Sequence, residues 1–114
     1  MEYMTVRIDG ADRRALIDAL KQELGGVYVY TSDSIVILAA EEYYFRVKSN
    51  LMGVIILNFS EAGKCQADLI SGGGGEGLLG ITWGAEGSNN RHIAKFLKDL
   101  CGSNGWLYSE VNEQ

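Results

Sequence analysis

The chain contains no proline, a single histidine and only two cysteines among its 114 residues, and each scarcity removes a class of function. Without proline there is no proline-rich ligand segment and no stiff linker of that kind. One histidine, His92, cannot by itself complete a zinc or iron site, and Cys65 and Cys101 stand too far apart in sequence to supply a C-x-x-C element. Two thiols also fall short of the disulfide framework of a small secreted scaffold. Residues 1–10 (MEYMTVRIDG) hold no apolar stretch resembling a secretion signal, so the expected setting is the cytoplasm, with reduced thiols. The longest apolar runs, 35–40 and 54–57, are far below the ~20 residues that a spanning helix needs. No membrane partner is expected.

Positive charge is also in short supply: ten lysines and arginines face fifteen acids, for a formal net charge of −5. Phosphate backbones are repelled by such a surface, so nucleic acid is not an expected partner. The length suits one domain, residues 1–114, with one core.

What is present is periodicity. Residues 2–8 alternate as a half-buried strand. Residues 11–24 place Leu16, Ile17, Leu20 and Leu24 on one helical stripe, with Asp9 as the expected cap and Gly25-Gly26 as the stop. The period then switches to two. Strands are expected at 27–31, 34–40, 43–48, 54–59, 65–70 and 78–83, the first two being possible halves of one bent strand. A second helix is expected over 90–101, capped by Ser88 or Asn89 after Gly87 and ended by Gly102, with Ile93, Phe96, Leu97 and Leu100 on its apolar stripe. Trp106 to Val111 offers a short final strand or an apolar tail.

The resulting expectation is an α+β domain: an antiparallel meander sheet with two helices packed on one face, in the order β-α-β(4–6)-α, as in TATA-box-binding-like or helix-grip folds. Architecture of this kind does not specify an activity.

Several features invite a chemical reading. Gly75, Gly77 and Gly80 spell G-x-G-x-x-G, but a dinucleotide site needs a helix after the glycines, and 78–83 reads as a strand. A hairpin tip is the better account, so no cofactor is expected. Glu41 and Glu42 are adjacent, which on a strand sends them to opposite faces and spoils them as an acid/base pair. Asn58-Phe59-Ser60 matches a glycosylation sequon that matters only in secretion. His92 is expected in the first turn of the second helix, as a solvent-facing residue. No catalytic residue and no metal ligand emerges.

The run Ser71-Gly72-Gly73-Gly74, followed by a strand and then by Trp83-Gly84-Ala85-Glu86 leading into a helix, resembles a small bacterial family of uncharacterised domains. The resemblance covers residues 46–100 and implies no activity and no site residues.

Two functional expectations follow from the residues. The first is a non-enzymatic module for protein interaction or small-ligand binding that self-associates, giving a homo-oligomer, through a sheet face or edge. Tyr28, Tyr30, Tyr44 and Arg46 are its candidate interface, because alternation sends these tyrosines to the side that the helices leave bare. The alternative is an enzyme or anion-binding protein using Gly73, Gly74, Gly75, Trp83, Glu86 and His92, where a glycine loop meets a helix N-terminus. A nucleic-acid binder by fold analogy is a third reading, which the charge opposes.

Overall fold

The structure, a computed structural model, describes residues 2–41, 51–73 and 85–111. Six strands and two helices follow in the order β1 (Glu2–Asp9), α1 (Arg13–Leu24), β2 (Tyr28–Thr31), β3 (Ile35–Glu41), β4 (Leu51–Asn58), β5 (Lys64–Gly73), α2 (Ala85–Asn104) and β6 (Leu107–Glu110). The strands form one antiparallel sheet with the order β2-β3-β4-β5-β1-β6. The middle of the chain is thus a meander, while the first strand sits between the fifth and the last.

Alternation decides which residues point inward. Val6 and Ile8 of β1, Val36 and Leu38 of β3, Ile55 and Leu57 of β4, and Cys65, Ala67 and Leu69 of β5 are all buried. Leu16 and Leu20 from α1 join them, as do Ile93, Ala94, Leu97 and Cys101 from α2, in one continuous cluster. Both helices therefore cover the same face of the sheet, with α2 lying over β5, β1 and β6. At one end of this layer the inward residues are small, Ala40 opposite Gly53 and Gly53 opposite Ser71. There the buried Ser71 hydroxyl donates to Asn90 Oδ1 at 2.6 Å, which satisfies two polar groups that burial would otherwise leave costly.

The local signals differ from expectation at the cap of α1 and at both ends of α2. Asp9 stays in β1, paired with Lys64 and Leu107. The cap of α1 is Asp12, whose carboxylate accepts from the Ala15 amide at 2.9 Å. Asp12→Ala is accordingly expected to cost about 1 kcal/mol in unfolding free energy, measured by urea titration. The strands expected at 27–31 and 34–40 are two, not halves of one bent strand: β2 pairs with β3 as a hairpin, the Ser32 amide donates to the Ile35 carbonyl, and Arg13 of α1 donates to the carbonyls of Ser32 and Asp33 while lying over the Phe59 ring. Finally, α2 starts at Ala85 and runs to Asn104, so Gly87, Ser88, Asn89 and Gly102 lie inside it. Its end is Gly105, at φ +76°, where a side chain would be strained. The expected stop at Gly25 holds, ending α1 at φ +78°, and Gly63 turns β4 into β5 at φ +74°. Residues 107–110 do form a strand, β6, pairing with β1. The strands expected at 43–48 and 78–83 lie outside the described residues.

Candidate functional site

The second face of the sheet carries no helix among the described residues, and its composition is unusual for a face left to water. The register lines up its side chains in rows across the strands. One row reads Tyr28, Ala39, Val54, Ile70, Tyr3, from β2 through β3, β4 and β5 to β1. It contains no polar side chain except the tyrosine hydroxyls. The neighbouring row reads Tyr30, Ile37, Ile56, Asp68, Thr5. Toward one end the face continues with Met52, 42% exposed, whose cross-strand neighbour is the exposed Glu41. The aliphatic residues Ile37, Val54, Ile56 and Ile70 are half-buried by their neighbours, whereas Tyr28 and Tyr3, at the two ends of the first row, are 66% and 61% exposed.

Several polar groups on this face are paired with one another. Thr5 Oγ1 donates to Asp68 Oδ1 at 2.7 Å, and Thr5 is buried. A further row reads Ile35, Asn58, Gln66, Arg7, Ser109, and beside it Arg7 reaches Glu61 at 3.6 Å. Asn58 Oδ1 accepts from both the amide and the hydroxyl of Ser60, so the apparent sequon residue caps a turn. A shallow hollow of about 280 Å³ opens at this polar end, between Arg7, Asn58, Glu61 and Lys64. The face thus divides into a charge-poor apolar field and a polar margin.

Of the residues expected at an interface, Tyr28 and Tyr30 do point from β2 onto this face, while Tyr44 and Arg46 lie outside the described residues. Gly73 closes β5 opposite Leu51, Glu86 falls in the first turn of α2, and Gly74, Gly75 and Trp83 lie outside the described residues. His92 is exposed, as expected, but because α2 begins at Ala85 it stands two turns from the helix start and not in the first turn. Among the described residues no group of histidine, cysteine and acidic side chains is arranged to hold a metal, and no helix is long and apolar enough to cross a membrane.

The two cysteines are both buried and free. Burial pushes the Cys65 thiol up from 9.0 to about 12, with Cys101 adding repulsion, and burial raises Cys101 likewise. A thiol held in its protonated form is a poor nucleophile. Tyr108 is raised by burial and by its hydrogen bond to Glu110. These groups belong to the packing.

The residues that reading for motifs overlooked are Tyr3, Ile37, Ala39, Met52, Val54, Ile56 and Ile70. Their signal was continuity. β5 alternates polar and apolar over its first residues, but β3 and β4 contain Ile35 to Ala40 and Val54 to Leu57, apolar at every position. Strands of that kind are usual where both faces of a sheet are covered. No family model, no curated protein and no solved structure matches this chain.

Proposed function

We propose that the chain is a non-enzymatic interaction module of the cytosol whose working surface is the sheet face opposite the two helices. The observation that carries this reading is the double-sided apolar character of β3 and β4: Val36, Leu38, Ile55 and Leu57 fill the core, while Ile37, Ala39, Val54 and Ile56 point the other way. A solvated face of an antiparallel sheet ordinarily carries polar residues at those positions. A contiguous apolar field with aromatic ends and a polar margin has the anatomy of a protein interface, where tyrosine and methionine are enriched and charge is pushed outward. The edges are poorer candidates. β2 and β6 have only four residues each, which leaves few unpaired backbone groups for an added strand.

A photo-cross-linking residue placed at position 54, in the middle of the field, is expected to yield covalent protein adducts in the cells that make this chain. The same residue at position 22, on the exposed side of α1, is expected to yield none. Absence of adducts from both positions would remove this reading.

A further inference from the structure

Resting on that reading, we infer that the occupant of the face is a second copy of this chain, packed sheet against sheet about a two-fold axis near Val54. Charge is the first argument. The rows through Tyr28 and Tyr30 hold one ionisable carboxylate, Asp68, and that group is already hydrogen-bonded to Thr5. A strongly charged partner finds no complementary group there, so the best match for the field is another charge-poor apolar field. Two copies each carrying −5 keep most of their acids off this surface, and at a separation beyond the ~8 Å Debye length those acids repel weakly.

Shape is the second. A two-fold contact sets the same patch against itself. In the row Tyr28, Ala39, Val54, Ile70, Tyr3, an axis through Val54 parallel to the strands sets Tyr28 of each copy against Tyr3 of the other. It sets Ala39 against Ile70 and Val54 against its own counterpart. Small thus meets large on both sides of the centre, the condition for filling a layer between sheets without voids.

Area is the third. Five strands at ~4.8 Å spacing, each about seven residues of ~3.4 Å, span roughly 600 Å² in projection. Corrugation of the side chains raises this toward the ~800 Å² per partner of a standard stable interface.

Sedimentation equilibrium and light scattering on the purified chain test the inference. The expected mass is twice the 12.5 kDa of one chain. Ile56→Lys is expected to weaken association about 100-fold or more, as loss of a central contact does, and to leave the circular dichroism spectrum intact. In case that lysine disturbs folding, the double variant Tyr3→Ser/Tyr28→Ser alters only exposed side chains and is also expected to weaken the dimer. Gln22→Lys on α1 is expected to leave it unchanged. A wild-type mass of one chain at concentrations up to about 1 mM, or a dimer untouched by both face variants, would overturn the inference. If the purified chain is single while position 54 still captures other proteins in cells, the second copy is wrong and the interaction module stands. If position 54 captures nothing, the module itself is lost.

Discussion

Replacing Ile55 by alanine is expected to lower the unfolding free energy by about 2–5 kcal/mol, whereas the same change at the adjacent Ile56 is expected to cost about 1 kcal/mol or less in the single chain. The two side chains are chemically identical and consecutive, and only the pleat separates them. Ile55 is 1% exposed and packs in the cluster shared by both helices, so its truncation removes transfer energy and opens a cavity between rigid layers. Ile56 stands opposite Ile37 and Asp68 on the face that no described helix covers, where neighbours and water can close over the loss. Urea titration at dilutions where light scattering reports one chain will separate the two. Equal costs would mean that the outer field is covered in the single chain, and the interaction reading would lose its basis.

Stability is expected to fall steeply on the alkaline side. Below 9.0 the Cys65 thiol is protonated in both folded and unfolded chains, and its contribution is complete. As pH rises toward about 12 the unfolded chain releases a proton that the folded chain retains, so the unfolded form gains. At ~1.4 kcal/mol for each pH unit over which only the unfolded chain is ionised, the loss reaches up to about 4 kcal/mol. Tyr108, also raised, adds to it in the same direction. Urea midpoints measured from about pH 8 to about pH 11 check the slope. Cys65→Ala is expected to be less stable at neutral pH, since it vacates a buried site, yet to decline less steeply with alkali. A slope identical to that of the wild type would show that the thiol is not the source.

Those two adjacent isoleucines also show how far sequence reading reaches here. Where one face meets core and the other meets water, alternation is unambiguous, and the Cys65-Ala67-Leu69 series of β5 or the Val6-Ile8 pair of β1 can be placed without coordinates. From Ile35 to Ala40 in β3 and from Val54 to Leu57 in β4 every residue is apolar, and period alone cannot say which half faces the helices. Register against neighbouring strands settles it, and register is a property of pairings far apart in sequence. The same limit hid the insertion of β1 between β5 and β6. Glycine misled in a different way. Gly87 read as lying before the helix and Gly102 as its stop, but burial of Ile93, Ala94, Leu97 and Cys101 on α2 outweighs the ~1 kcal/mol that each glycine costs in a helix.

The placement of β1 constrains how the domain can be made. A ribosome delivers that strand before the other five described strands, yet one of its hydrogen-bonded neighbours is β5 and the other is β6, the last of the six in chain order. Until the final segment arrives, a growing chain carries a strand whose second flank is unpaired. Pairings so remote in sequence belong to the slow end of the folding range, and any clipping before Leu107 turns an interior strand into a sticky margin open to misassembly.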